Sequence, residues 1–307
     1  MKNPALRAMI RPQPLGKGDK VAIVSPAGAI KDATIVAGAA STIESWGLRA
    51  VVMPHALSRD GYYAGTEKER LADVVDALCD DEIKAILCSY GGYGCLHLLP
   101  RIDRYISENP KWIIGMSDCS VLLAAAVSQG VAALHSPQCR ALAMDADGEG
   151  VSSLRRLLFG WQPRYRVAPH PLNRKGKTQG RVVGGNLSVL TALVGTPYDI
   201  FKKGNILFIE DVNESLYKIE RMLYTLKLSG VLASLDALVV GAFAGCRDDS
   251  AFGGTVYDVI RHLVEEYDYP LCFGFPVGHS SRCYPMPVGA VAELEVGAGG
   301  VSLNYIP

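Results

Sequence analysis

Short apolar runs that alternate with amphipathic helical stripes constrain this chain more than any other feature of its sequence. Residues 21–24 form an apolar run closed by the turn Ser25-Pro26-Ala27-Gly28. A stripe of Ile35, Ala39, Ile43 and Trp46 follows and stops at Gly47. Residues 49–53 read as a second strand. Thr66-Glu67-Lys68-Glu69 is a capping box ahead of the stripe Leu71, Val74, Val75 and Leu78. Ile83–Cys88 is a buried strand that ends in the loop Gly91-Gly92-Tyr93-Gly94, and residues 112–116 are another. Strand–helix units repeated at this size predict an α/β fold whose N-terminal sheet is mostly parallel, with helices on both faces. Such a sheet places its ligand crevice beyond the carboxyl ends of the strands. The turns at Ser25, Gly91 and Ser117 all fall at strand carboxyl ends, so they are expected to converge.

The pattern lapses between about Trp161 and Gly180, where prolines and basic residues accumulate, and residues 163–179 read as a linker. It divides an N-terminal α/β domain, residues 1–162, from a smaller C-terminal α/β domain, residues 180–307. In the second half, residues 205–210, 237–243 and 271–275 read as strands. Leu216, Ile219, Met222, Leu223 and Leu226 form a helical stripe, and residues 290–296 with 301–305 form a closing hairpin.

Composition narrows the function classes. At 307 residues and 49% hydrophobic, the chain can bury a large core. Basic and acidic residues balance at 31 each, which gives no electrostatic case for nucleic acid or an anionic membrane as partner. The longest apolar stretch, 121–134, is interrupted by Ser128, Gln129 and Gly130 and is too short to span a bilayer. The first twenty residues carry Lys2, Arg7, Arg11, Lys17 and Lys20 without the apolar block of a signal peptide, so the expected location is the cytoplasm. None of the eight cysteines forms a C-x-x-C pair and no histidine joins them at ligand spacing. Free buried thiols are therefore expected, and no metal site.

The stretch Trp112-Ile113-Ile114-Gly115-Met116-Ser117-Asp118-Cys119-Ser120 runs an apolar strand into a bend and then a helix. A serine at such a bend lifts its hydroxyl out of the sheet, as at a nucleophile elbow, and the next N–H, from Asp118, faces an oxyanion. The pattern G-x-S-x-G is incomplete, because Cys119 replaces its last glycine. The competing reading is a serine or aspartate that caps a helix. Cys119 itself falls inside the helix, aimed away from the bend. A serine nucleophile needs a base, and the base an orienting acceptor. Among six histidines, His279 emerges at a strand end in a glycine-flanked loop, and His135 ends the strand after the Ser117 helix. Glu210 closes the apolar strand 205–210, where a carboxylate needs a partner. Asp211 and Glu214 compete with it, each with a helix-capping alternative. The order Ser117, Glu210, His279 is that of α/β-hydrolases.

Together these pieces resemble the LD-carboxypeptidase family of serine peptidases, which includes muropeptide LD-carboxypeptidases and microcin C self-immunity peptidases. The resemblance runs through Val24-Ser25-Pro26-Ala27, Gly61-Tyr62-Tyr63-Ala64-Gly65-Thr66, Tyr90-Gly91-Gly92-Tyr93-Gly94, Gly115-Met116-Ser117-Asp118, Gly184-Gly185-Asn186-Leu187, Ile209-Glu210-Asp211-Val212-Asn213-Glu214 with Arg221-Met222-Leu223, and Gly274-Phe275-Pro276-Val277-Gly278-His279. It implies Ser117 as nucleophile, His279 as general base and Glu210 as the residue that orients it. It places the oxyanion hole at the N–H of Asp118 and that of Gly91 or Gly92. It also implies a homodimer without cofactor or metal, with the serine and the Glu–His pair on different domains. The substrate it implies is a cytoplasmic murein tetrapeptide, cut between an L-centre and the terminal D-alanine. Tyr90 stands where many members carry an arginine. The alternative within the family is a microcin C-type peptidase that cuts an aminoacyl- or peptidyl-nucleotide amide, for which no aromatic-rich insertion is evident. A non-catalytic two-domain binder is the alternative outside it. There the glycine loop would hold a carboxylate or phosphate on its N–H groups, although it lacks the G-K-[ST] ending of a P-loop.

Overall fold

The structure, a computed structural model, describes residues 9–246 and 254–306; Lys2 and Arg7 of the basic N-terminal stretch lie outside them. Contacts divide the chain into two compact units. One is Met9–Trp161 with Tyr284–Val288, and the other is Gln162–Cys283 with the chain from Gly289 on.

In the first unit the elements alternate as β1 (Lys20–Val24), α1 (Ala33–Ser45), β2 (Arg49–Val52), α2 (Glu67–Cys79), β3 (Ile83–Cys88), α3 (Asp103–Glu108), β4 (Trp112–Gly115), α4 (Ser120–Ser128), β5 (Ala133–His135), α5 (Cys139–Met144) and α6 (Glu149–Leu158). Side-chain caps set the helix starts. Asp32 accepts from the Thr34 N–H at 2.9 Å, and Thr66 and Glu69 close the expected capping box. Strands β2, β1, β3, β4 and β5 pair in parallel in that order. Val21, Ile23, Leu87 and Ile114 pack with Val36, Ile43, Leu142 and Leu154 of α1, α5 and α6. The alternate strand residues Ala22, Ile86 and Ile113 are equally buried, so both faces are covered. That is why these strands read as unbroken apolar runs. From β1 the chain moves to one side to form β2, and from β3 it moves to the other, so a topological switch point lies between β1 and β3.

The second unit opens with β6 (Arg164–Val167), β7 (Gly176–Asn186), α7 (Leu187–Thr191), β8 (Asn205–Val212), α8 (Leu216–Leu228), β9 (Ala237–Ala244), α9 (Val256–Leu263) and β10 (Leu271–Cys272). The chain then adds β11 (Met286–Val288) antiparallel to β5 of the first sheet, before β12 (Val291–Gly297) and β13 (Gly300–Tyr305). The second sheet is mixed, in the order β10-β9-β8-β7-β12-β13-β6. It is parallel from β10 to β7 and antiparallel from β7 to β6. β12 and β13 form the expected hairpin and alternate buried with more exposed residues, as strands open on one face do.

Two expectations need correction. Residues 163–179 do not form a bare connection: they supply β6 and the first part of β7. Tyr165 is buried between exposed Arg164 and Arg166, so the basic residues that look like a linker are the solvent side of an edge strand. The strand expected at 271–275 is only two residues long. It ends where the Phe273 N–H leaves the ladder and donates to Asn173 Oδ1 at 2.8 Å.

Candidate active site

Three strand-end loops meet at the switch point of the first sheet. The turn after β1 and the end of β3 are joined by the hydroxyls of Ser25 and Ser89, 2.5 Å apart, and Ser25 also donates to the Ala56 carbonyl at 2.6 Å. The Gly28 N–H donates to the Gly91 carbonyl at 2.9 Å. That peptide is trans, so the Gly92 N–H is turned away from Gly28. After β4, Ser117 starts a turn of 3-10 helix, Ser117–Cys119, which leads into α4. Ser117 has φ +60°, a left-handed conformation that a non-glycine residue adopts only when its surroundings hold it there. The strained bend expected of an elbow is therefore present. The glycine loop lies directly against it. A Cβ placed on Gly91 would fall 2.6 Å from Ser117 Cβ, 2.7 Å from its Oγ and 3.4 Å from the Asp118 nitrogen, a space only glycine fits.

In the second unit, Glu210 lies on β8 at a bulge in its pairing with β9, between Ile209 and Asp211. A bulge re-aims side chains, which lets both Glu210 and Asp211 be buried in succession. Glu210 Oε2 is 2.6 Å from His279 Nδ1 and also accepts from the His279 backbone N–H at 3.3 Å. An ionised carboxylate only accepts, so Nδ1 carries the hydrogen and Nε2 presents its lone pair, the form a general base requires. Burial pushes the His279 pKa down, but the hydrogen bond and charge of Glu210, with the charge of Asp211 behind it, prevail and leave it raised above 6.5. Gly278, with φ +96°, makes the contact possible, since a Cβ there would lie 2.5 Å from both Cβ and Oε2 of Glu210.

The competing carboxylates have other partners. Asp211 accepts from Asn186 Nδ2, the Ser188 N–H at the start of α7 and the Val212 N–H, all within 2.8–2.9 Å. Burial still pushes its pKa up to about 6. Glu214 stands 3.4 Å from Lys218 Nζ, one helical turn along. His135 is wholly buried within β5, and Cys119 is wholly buried as well. Every cysteine in the structure is free, with Cys79 exposed, Cys246 partly so and the other six buried. Among the described residues no group of three or more His, Cys, Asp and Glu could hold a metal ion, and no helix is long and apolar enough to cross a membrane.

Ser89 and Arg70 also belong to this loop cluster, and the sequence pattern singles out neither. Arg70 sits in the charged run 67–70 and reads as solvent-facing, yet it is 2% exposed. Its spacing from Val74 and Leu78 (i+4, i+8) puts it on the apolar face of α2, and that was the available signal.

Comparison with known proteins decides the family. The model of the LD-carboxypeptidase N-terminal domain matches residues 21–136, and that of the LD-carboxypeptidase C-terminal domain matches residues 179–294. The chain belongs to the LD-carboxypeptidase family. It is thus a hydrolase of a serine-peptidase family. A probable murein peptide carboxypeptidase of Bacillus subtilis is 34% identical over 298 residues, which cover 93% of this chain and 91% of the relative. A murein tetrapeptide carboxypeptidase of Pseudomonas aeruginosa is 32% identical over 289 residues, with 90% and 93% covered. The crystal structure of a muramoyltetrapeptide carboxypeptidase from Oxalobacter formigenes superposes with a TM-score of 0.86 at 25% identity, covering 94% of this chain and 99% of that one. In this LD-carboxypeptidase family chain, the N-terminal match holds the glycine loop and Ser117, and the C-terminal match holds Glu210 and His279.

Proposed function

We propose that this protein is a cytoplasmic serine carboxypeptidase that removes the terminal D-alanine from murein tetrapeptides, with Ser117 as nucleophile, His279 as general base and Glu210 as its orienting acceptor. The observation that carries the reading is the buried Glu210 carboxylate on His279 Nδ1, which fixes the tautomer whose Nε2 accepts a proton. The strained bend at Ser117 and the glycine loop packed against it support the nucleophile and an oxyanion hole made by the N–H of Asp118 and of Gly91 or Gly92. The relatives named for murein peptides support the substrate class.

In the proposed reaction His279 Nε2 takes the Ser117 proton as Oγ attacks the carbonyl of the third residue. The carbonyl electron pair moves onto oxygen and is stabilised by the loop N–H groups, each worth about 3 kcal/mol. As the pair returns, the C–N bond breaks and His279 gives its proton to the departing D-alanine amine. Water then adds to the ester by the same route, freeing Ser117 and the shortened peptide with a new carboxyl group.

The test is mass spectrometry of tetrapeptides bearing lysine or diaminopimelate at the third position, after incubation with wild-type and Ser117→Ala protein. Loss of one alanine with wild type alone supports the reading and names the preferred third residue. Equal cleavage by both proteins sinks Ser117 as nucleophile. If neither peptide is cut, the murein substrate is wrong, and an aminoacyl sulfamoyl adenosine becomes the next substrate to try.

A further inference from the structure

The peptide group between Gly94 and Cys95 is held at both ends by buried charged side chains. Its carbonyl accepts from Arg70 Nη1 at 2.9 Å, and its N–H donates to Asp118 Oδ2 at 2.8 Å. The same Nη1 donates to the Pro26 carbonyl at 2.7 Å. Arg70 is 2% and Asp118 3% exposed. One guanidinium therefore ties the turn after β1 to the loop after β3, and one carboxylate ties that loop to the turn after β4.

Burying a lone cation or anion costs several kcal/mol, and a sequence retains such groups only where bonds offset the loss. Here the offset is shared. The peptide dipole lies with its oxygen on the cation and its hydrogen on the anion, so each charge polarises the group in the sense that favours the other. Arg70 and Asp118 thus form an ion pair with one peptide inserted between them. The loop needs such an anchor. Gly91 and Gly92 have no side chains with which to fix themselves, and Gly28 holds only the Gly91 carbonyl. The half-exposed Tyr93 leans on the rings of Tyr63 and His97 without a hydrogen bond that fixes the Gly94–Cys95 peptide.

We propose that Arg70 and Asp118 act together, through the Gly94–Cys95 peptide, to hold the glycine loop at the distance from Ser117 that an oxyanion hole requires. Both are positioning residues; neither side chain is assigned to the reacting atoms. The proposal rests on Ser117 being the nucleophile. Its physical basis is the narrow tolerance of the device, because an oxyanion donor must lie at about 2.7–3.1 Å from the developing charge.

The experiment compares wild type with Arg70→Gln, Asp118→Asn and the double variant, with Arg70→Lys as a gentler change if Arg70→Gln does not fold. Each is measured three ways: hydrogen exchange of residues 90–96, the rate at which a fluorophosphonate labels Ser117, and kcat and KM on the tetrapeptide. Exchange across 90–96 should rise at least about tenfold while that of β3 stays unchanged. Labelling rate and kcat should fall by about 100-fold, the usual result of a displacement near 1 Å, with KM within about threefold of wild type. The double variant should be no slower than its slower parent, since both changes release one peptide. Exchange as slow as wild type overturns the clamp. A loosened loop with unchanged kcat, or losses that multiply in the double variant, overturns its joint positioning role. Hydrolysis that survives in Ser117→Ala is a separate failure: it removes the nucleophile and with it the oxyanion role, and the exchange data alone then decide whether the clamp exists.

Discussion

Glu210 Oε2 lies 2.6 Å from His279 Nδ1, with the carboxylate side chain wholly buried and the imidazole 25% exposed. This asymmetry makes the pair a tuning device. Burial works against the charged imidazole, and Glu210 outweighs it, so the His279 pKa is raised. A raised histidine pKa adds stability below the unfolded value that is lost as pH rises through the folded one. A base must be neutral to act, so with His279 as the proposed base, kcat/KM should climb with pH through a pKa above 6.5. In Glu210→Gln the charge is gone while the burial remains. The acid limb should then move to lower pH and the plateau fall by roughly 10³–10⁴-fold, as when the orienting acid of an established catalytic triad is neutralised. An unshifted limb in a pH–rate profile would mean that Glu210 does not tune His279.

Ser117 holds φ +60°, which costs an ordinary residue about 1–2 kcal/mol. Ser117→Gly should therefore be more stable than Ser117→Ala by about 1 kcal/mol in urea unfolding, because glycine accepts this backbone freely. Neither variant retains the hydroxyl, so the difference between them reports the backbone alone. Equal stability would show that the bend is not strained.

Gly91 leaves no room for a side chain, since an added Cβ would fall 2.6 Å from Ser117 Cβ and 2.7 Å from its Oγ. Gly91→Ala must push the glycine loop and the serine apart. Overpacking of this kind costs about 1–3 kcal/mol. The proposed oxyanion donors would be displaced, and kcat should fall by about 100-fold or more. Thermal unfolding and steady-state kinetics on the same preparation check both effects. A stable variant with wild-type kcat would remove the loop from the site.

Local patterns made much of this legible in the sequence. The capping box at Thr66, the buried strand Ile83–Cys88 and the closing hairpin each rest on short-range chemistry, and all are present. The turns after β1, β3 and β4 could be expected to converge because a parallel sheet aligns its carboxyl ends. What stayed hidden depends on partners distant in sequence. β6 looked like a linker because an edge strand with one solvent face carries few apolar residues, and only its pairing with β13 shows its nature. Asp211 and Glu210 are adjacent carboxylates whose roles the sequence leaves in competition, because the bulge that directs one to α7 and the other to His279 has no local signature. Arg70 was hidden because its reason for burial is a carbonyl from a loop 24 residues away.

Asp211 offers a test of that divided role. It is buried and accepts four hydrogen bonds, from Asn186, the N–H and hydroxyl of Ser188 and the Val212 N–H, which favour its ionised form, yet burial prevails and raises its pKa to about 6. The folded protein therefore holds this proton over a range where the unfolded chain has released it, so stability must fall as pH rises from about 4 to about 6. The shift from 3.8 to about 6 corresponds to about 3 kcal/mol as an upper bound. Asp211→Asn cannot titrate and lacks this contribution, although it also weakens the bond to the Ser188 N–H. Over about pH 4 to 6, below the range in which His279 titrates, the difference between the two proteins reports chiefly this group; above it the loss of the Asp211 charge also moves His279. Urea unfolding at a series of pH values should find the advantage of wild type over Asp211→Asn largest near pH 4 and shrinking up to about pH 6.5. A difference independent of pH would show that Asp211 is already ionised in the folded protein across this range, and that the negative charge beside Glu210 is fully developed wherever His279 titrates.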